Sequence, residues 1–237
     1  MRALLLALAL GTVLPCAAQN MGKYIGEVQT KWLGDGRKMR LLAQFSYVDP
    51  KGTEWVAPVG SIIDGASIPQ VAWSIIGGPF EGNYRNASVI HDVACVQKRH
   101  PWESVHETFY TAMLASGVDP LRAKVMYGAV YHLGPRWPRL VVIRNIPSGQ
   151  ELTASQRALA GAADGSRAEV ASIQPRPPSV GMYPPTLPPG LDFVMRVIPP
   201  VSSFTPSDFQ KLEAAITARE ALGNLSLQEI RSYQPGR

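Results

Sequence analysis

Apolar and polar residues alternate along the front of the chain, over residues 23–58. A two-residue period is typical of strands that bury one face. Two turn sequences interrupt it, Gly34-Asp35-Gly36 and Asp49-Pro50-Lys51-Gly52, where glycine tolerates positive φ and proline presets it. The pattern predicts three strands joined by tight turns in an antiparallel meander, at residues 24–32, 39–47 and 54–58.

From residue 84 onward the apolar residues recur at three- and four-residue steps, which is the period of amphipathic helices. The steps predict helices over residues 84–99 and 102–116, and the pair Asp119-Pro120 starts a third that runs to Leu133. A short helical turn at residues 71–76 and a last strand at 138–146 complete the pattern. Together these elements predict one α+β domain over residues 21–145, a small antiparallel meander packed on a three-helix unit.

The composition changes after residue 146. Residues 146–204 are rich in proline, alanine and glycine and contain little to pack, so they predict a disordered linker. An amphipathic helix then starts at Thr205-Pro206-Ser207-Asp208 and ends at Gly223. A capping-box pattern from Ser226 to Glu229 predicts a short final helix, so residues 205–237 are expected to form a C-terminal helical tail.

The first residues have the pattern of a secretory signal peptide. Met1-Arg2 precedes an apolar run too short to span a bilayer, and small residues follow it up to Ala18. We expect a signal peptide at residues 1–18 and export to the periplasm. A lipoprotein with Cys16 lipidated is the alternative, and Pro15 directly before that cysteine argues against it. No other segment is apolar for long enough to cross a membrane.

Of the two cysteines, Cys16 and Cys95, removal of the signal would leave only Cys95, so no internal disulfide could form. The hydrophobic core must then stabilise the fold. The formal charge falls from +5 to +4 (5 − 1), because Arg2 is lost. That modest excess would suit an acidic envelope polymer, but ordinary solubility charge is the preferred explanation. It is no nucleic-acid signature, so we expect no nucleic-acid partner.

The polar residues able to do chemistry concentrate between residues 58 and 92. His91 shares a helical stripe with apolar residues, so it is expected to face inward, where its ring nitrogens need partners. Asp64 lies beside a glycine and could turn its carboxylate toward His91. Asp92 lies about 100° round the helix from His91, so it is expected to hold a neighbouring loop or to bind a ligand from the side. We predict that Asp64, His91 and Asp92 form the centre of the site.

Three interpretations of this site remain open. In the first, the histidine and carboxylates form a structural hydrogen-bond network. In the second, His91, His106 and Asp64 bind zinc and leave an open position for water. In the third, His91 is a general base oriented by a carboxylate and acts on water or on Ser67, which otherwise serves as an N-cap.

Two further histidines and the cysteine have simpler interpretations. Cys95 is expected to be a small buried residue in a helix, and a Cys95–His91 dyad is disfavoured because a mid-helix thiol lies away from the dipole that lowers its pKa. His132 lies near the end of its helix, where a cation would suit the dipole. His100, beside Pro101, is expected to be a loop residue.

A set of motifs resembles a domain-of-unknown-function family found in tailed phages, prophages and bacteria. The motifs are Pro58-Val59-Gly60, the sequence D-G-A-S-I-P at residues 64–69 and His91-Asp92, followed by Phe109 and Met113. The resemblance covers residues 44–134. It implies a domain and a site but no reaction, because the family has no established activity. This chain differs from the family pattern at His106, where an aspartate is expected, and at Cys95, where the residue is often aromatic.

Two functions follow as hypotheses. In the first, the chain is an exported cell-envelope hydrolase of phage ancestry that acts on envelope material, with His91, Asp92, Asp64 and Ser67 as catalytic residues. In the second, it is a non-catalytic envelope or phage-structural module. The His-Asp network is then structural, and the terminal helix docks a partner such as an envelope component or envelope protein.

Overall fold

Short antiparallel strands form the front of the fold, in two separate sheets. The computed structural model describes residues 20–65, 69, 82–137, 139–147, 167–172, 191–198, 204–223 and 225–235. Within residues 20–65 the strands are β1 (Lys23–Ile25), β2 (Thr30–Trp32), β3 (Met39–Leu41), β4 (Phe45–Val48), β5 (Glu54–Ala57) and β6 (Ile62–Ile63). One sheet has the order β1-β4-β5 and the other β2-β3-β6, and all their pairs are antiparallel.

The α+β class is confirmed, but the strand pairing differs from the predicted meander. The first predicted strand breaks after β1, where Gly26 has a φ of 84°, and the second breaks between Leu41 and Phe45. Each half then pairs in a different sheet, so β1 lies against β4 and β2 against β3. Strand β6 was not predicted, because its two residues are too few to show a period.

Three helices follow, close to their predicted bounds: α1 (Arg85–Gln97), α2 (Trp102–Ala115) and α3 (Pro120–Leu133). Helix α3 starts as predicted, because the Asp119 side chain accepts a hydrogen bond of 3.1 Å from the Arg122 N–H and Pro120 occupies the first turn. Helix α1 packs on β4, β5 and β6, and α2 packs between α1 and α3. The hydroxyl of Tyr24 on β1 donates to the Ala112 carbonyl at 2.7 Å and ties the first sheet to α2.

The C-terminal tail packs on α3. It comprises α4 (Pro206–Glu220) and α5 (Leu227–Ser232), and both begin with a capping box, of which the one at Ser226 was predicted. Phe209, Leu212 and Ile216 of α4 are buried against α3. Gly128 on α3 permits this close approach, since a Cβ there would lie 3.2 Å from Leu212 Cδ2.

A third antiparallel sheet has the order β7-β9-β8, formed by β7 (Arg139–Pro147), β8 (Arg167–Ser172) and β9 (Leu191–Ile198). Strand β7 matches the predicted last strand. The other two lie in the range 146–204, which the sequence predicts to be a disordered linker. The sequence of β9 is rich in branched and aromatic residues, which favour strands. The prediction rested on the proline-rich composition of the whole range and so missed this strand.

Several predicted features lie outside the described residues. They are the signal peptide with Cys16, the helical turn at 71–76, Ser67, and most of the linker. Among the helices that the structure describes, the longest has 15 residues, and none is both long and apolar enough to cross a membrane.

Candidate functional site

Two buried histidines meet between α1 and α2. His91 on α1 and His106 on α2 expose only 1% and 0% of their surfaces. Their side chains are joined by a hydrogen bond of 2.8 Å between His91 Nε2 and His106 Nδ1. The helical phase of His91 therefore turns it toward α2.

The proton positions in this pair follow from one backbone carbonyl. His106 Nε2 lies 3.1 Å from the carbonyl oxygen of Pro135, which can only accept a hydrogen bond. His106 must therefore carry its proton on Nε2 and accept at Nδ1. His91 consequently donates from Nε2 and, as a neutral imidazole, keeps a lone pair on Nδ1.

Burial favours the neutral form of both rings. It lowers the pKa of His91 to about 3. Burial also holds the pKa of His106 well below its usual value, and the neighbouring His91 lowers it further. A neutral imidazole is the form that binds a metal ion. An efficient general base has a pKa near the working pH, so this environment counts against His91 as a metal-free general base.

Cys95 completes a cluster with the two histidines. It lies four residues after His91 on α1, which places it on the same helix face, and it is 6% exposed. Its Sγ lies 3.7 Å from His91 Nε2 and 4.0 Å from His91 Nδ1. One ligand atom from each of His91, Cys95 and His106 lies within 4.8 Å of the others. We call these three residues the His-Cys cluster.

Neither of the two predicted carboxylates belongs to the cluster. Asp92 is 3% exposed, and its Oδ2 accepts a hydrogen bond of 2.7 Å from the Gly65 N–H. Asp92 thus holds the neighbouring loop, as its helical phase predicts. Gly65, which directly follows Asp64, has a φ of 65°. This conformation favours glycine. Asp64 is described but is not a member of the cluster, so its role stays a prediction.

Aromatic rings surround the histidine pair. The Phe109 ring lies 4.6 Å from that of His91, and the Trp102 ring lies 5.6 Å from that of His106. Such apolar neighbours lower the local dielectric constant and strengthen electrostatic interactions of the pair.

The other two histidines have different environments. Burial lowers the pKa of His132, and Arg136 lowers it further despite the hydrogen bond to the Ile230 carbonyl at 2.8 Å. The expectation of a cation at the end of α3 is therefore wrong, because burial outweighs the helix dipole. His100 lies in a loop as expected, with its ring 4.3 Å from that of Trp55.

Sequence reasoning considered Cys95 only in a disfavoured dyad with His91 and not as a third ligand, and it missed Pro135 as the anchor of His106. The four-residue spacing from His91 could have identified Cys95, because residues at that spacing share a helix face. Nothing local to Pro135 predicts its contact, since 29 residues separate it from His106.

The family comparison covers the part of the fold that holds the cluster. Residues 39–130 match the model of a family described as "Protein of unknown function (DUF1353)". The match runs from β3 into α3 and includes His91, Cys95 and His106. The resemblance found in the motifs is thus to a family of unknown function.

Two curated relatives come from Sinorhizobium fredii (strain NBRC 101917 / NGR234). "Uncharacterized protein y4jT" is 53% identical over 97 residues, which cover 41% of this chain and 29% of the relative. "Uncharacterized protein y4iH" is 43% identical over 108 residues, which cover 46% of this chain and 45% of the relative. The chain spans less than half the length of each. No solved structure matches the chain.

Proposed function

We propose that this chain is an exported cell-envelope protein in which His91, Cys95 and His106 bind zinc, and that a zinc-bound water hydrolyses envelope material. The observation that carries the proposal is the convergence of three buried donor atoms of the types that zinc prefers. Export is supported by the signal-like first residues, and phage ancestry by the motif resemblance alone.

The donor distances are close to those of a zinc site. Zinc lies about 2.0–2.1 Å from nitrogen and about 2.3 Å from sulfur, so donors on one tetrahedral ion are roughly 3.3–3.7 Å apart. The distance of 3.7 Å between Cys95 Sγ and His91 Nε2 fits this value directly. The histidine nitrogens are 2.8 Å apart because the His91 Nε2–H donates to His106 Nδ1. To bind a metal through Nε2, His91 would carry its proton on Nδ1 instead, and the rings would separate by roughly half an ångström.

The contact with Pro135 is the outer-shell interaction that a metal-binding histidine needs. Histidine ligands usually donate their second ring N–H to a carbonyl or carboxylate, which fixes the ring and its tautomer. The Pro135 carbonyl accepts the hydrogen bond from His106 Nε2, so the lone pair of His106 Nδ1 faces the cluster and can bind a metal.

Three protein ligands leave one zinc position for water, as in catalytic rather than structural zinc sites. Zinc lowers the pKa of bound water to about 7 and so supplies a nucleophile that a weakly basic histidine could not generate. Asp64, which directly precedes the Gly65 held by Asp92, remains our proposed residue for proton transfer. Ser67, which lies outside the described residues, remains a proposed catalytic residue.

The second candidate function is a non-catalytic envelope module, in which the cluster is a structural network. The complete burial of His91 and His106 favours it. In that case the tail would bind its partner through exposed residues such as Leu222, because the apolar face of α4 already packs on α3 of the same chain.

Metal analysis of the purified mature protein, residues 19–237, tests the proposal. We expect one zinc per chain in the wild type and loss of zinc in His91→Ala. The variant His132→Gln is the matched control, because it alters a buried histidine outside the cluster, and it should keep the zinc. A metal-free wild type, combined with a large stability loss in His91→Ala, would establish the structural network instead.

Hydrolysis requires its own measurement. Isolated cell-wall sacculi and envelope lipids are incubated with the zinc-loaded wild type and with His91→Ala, and soluble products are measured. Release by the wild type alone supports the enzyme. Full zinc occupancy without release from either material would refute the hydrolase and leave a metal-binding module.

A further inference from the structure

A cavity of about 580 Å³ opens where the C-terminal tail packs on α2 and α3. We propose that it binds a small organic anion, a ring compound that carries a carboxylate. Six residues carry the argument, and we call their surroundings the anion cavity: Trp102, Tyr131, Arg136, Phe204, Arg231 and Tyr233. The inference is independent of the zinc proposal.

The charge of the anion cavity selects the sign of its ligand. Two guanidinium groups, Arg136 and Arg231, line it, and the described residues that line it include no aspartate or glutamate. Glu107 pairs with Arg231 from outside the cavity and also with Lys51. Glu103 interacts with Arg136, so these three cations and two carboxylates keep one net positive charge. An aromatic cage without arginine would suit a cation, and the two guanidinium groups exclude that ligand.

Both guanidinium groups are held in place before any ligand binds. Arg136 lies 4.6 Å from the centre of the Trp102 ring, and its Nη2 donates to the carbonyl oxygens of Tyr131 and His132 at 2.5 and 3.1 Å. Arg231 donates from Nε to the Tyr127 hydroxyl and from Nη2 to Glu107, each at 2.6 Å. Fixed guanidinium groups lose little entropy on binding a carboxylate, which favours affinity.

The aromatic walls select a flat ligand body. Phe204 stacks on His132 with ring centres 4.2 Å apart, and Tyr233 meets the edge of Phe204 at 6.3 Å. Trp102 and Tyr131 form the facing wall, 5.1 Å apart. Rigid aromatic surfaces with a few fixed polar groups are typical of small-molecule sites. The ligand chemistry is therefore a carboxylate on a ring, as in an acidic sugar or an aryl carboxylate.

The tail assembles the anion cavity. Arg231 and Tyr233 come from the tail and Phe204 directly precedes it, whereas Trp102, Tyr131 and Arg136 come from the domain. Neither part alone contains both an aromatic wall and two guanidinium groups, so binding requires the docked tail.

Calorimetric titration of the mature protein in the presence of a chelator tests the inference without zinc. The probes are glucuronate with glucose as its neutral match, benzoate with benzyl alcohol as its neutral match, and inorganic phosphate. We expect at least one carboxylate to bind roughly tenfold or more tighter than its neutral match, because the neutral compound lacks the charge-assisted hydrogen bond. Which of the two binds distinguishes the sugar from the aryl source.

Variants locate the binding. Arg136→Gln and Tyr233→Ala should each weaken the bound carboxylate roughly tenfold or more, whereas Arg122→Gln, on α3 beside Tyr84 and outside the cavity, should not. If Arg136→Gln fails to fold, the affinity of Tyr233→Ala alone tests whether the carboxylate binds in the cavity. The inference is overturned if neither carboxylate binds, if phosphate binds as tightly, or if the folded cavity variants keep wild-type affinity.

Discussion

The carbonyl oxygen of Pro135 determines where the protons of the histidine pair lie. Because this oxygen can only accept a hydrogen bond, His106 carries its proton on Nε2 and presents the Nδ1 lone pair to His91. Both rings are neutral and lie beside the Cys95 thiol. One backbone contact thus gives the pair the orientation that a metal site requires.

The Asp92 side chain makes the clearest single contribution to stability at the residue scale. Its buried carboxylate accepts the Gly65 N–H at 2.7 Å, so Asp92→Ala would leave that donor unsatisfied. We expect the free energy of unfolding to fall by roughly 1–3 kcal/mol, measured by urea denaturation. Asp92→Asn keeps an acceptor oxygen and should cost less. Equal stability of wild type and Asp92→Ala would contradict this role.

His132 predicts how stability depends on pH. Burial lowers the folded-state pKa of His132 below the ordinary 6.5, so the unfolded chain binds the proton more readily. The contribution of His132 to the free energy of unfolding is therefore fully present above about pH 6.5 and is lost as the pH falls below that value. Arg136 and Arg231, which line the same cavity, oppose a further positive charge there.

Denaturation of the wild type and His132→Gln at a series of pH values isolates this residue. We expect the wild type to lose more stability than the variant between neutral pH and pH 5. The comparison is needed because burial also lowers the pKa of His100 and the two cluster histidines. Parallel pH profiles for the two proteins would show that His132 makes no such contribution.

The packing of α4 on α3 depends on the absence of a side chain at Gly128. A Cβ there would lie 3.2 Å from Leu212, 3.4 Å from Ile216 and 3.5 Å from Ile230. Gly128→Val should lower stability by roughly 1–3 kcal/mol and increase hydrogen exchange in α4 and α5. Gly128→Ala is the matched control and should cost less, because its gain in helix propensity of about 1 kcal/mol offsets the tighter contact. Unchanged exchange in Gly128→Val would contradict the packing.

Elements with local signals were predictable, and those with distant partners were not. The bounds of α1, α2 and α3 follow from helical periods and from Asp119-Pro120, all of which lie within the element itself. The pairing of β1 with β4 and of β2 with β3 is set by packing that the alternating pattern does not contain. The same limit applies to the site: the inward orientation of His91 was predictable from helical phase, whereas the contact of Pro135 with His106 required the fold.

At the scale of the whole molecule, the tail is part of the described core. Phe209, Leu212 and Ile216 are at most 1% exposed, and Lys124 on α3 lies 2.7 Å from both carboxylate oxygens of Glu220. Deleting residues 205–237 should therefore lower the free energy of unfolding by at least roughly 2 kcal/mol, since each buried side chain contributes about 1.5–3 kcal/mol.

Thermal or urea unfolding of chains that comprise residues 19–237 and 19–204 measures this difference. Truncation should also abolish binding of any carboxylate to the anion cavity. An unchanged unfolding midpoint would mean that the tail does not stabilise the domain.

Cobalt spectroscopy tests the central claim, that the His-Cys cluster is a metal site, most directly. Cobalt(II) replaces zinc in such sites, and a thiolate ligand produces a sulfur-to-cobalt charge-transfer band in the near ultraviolet. We predict that the wild type and His132→Gln show this band at one equivalent of cobalt. Cys95→Ser should lose the band, and His91→Ala should bind cobalt far more weakly. A wild type that shows no band, or a band that persists in Cys95→Ser, would contradict the proposed metal site.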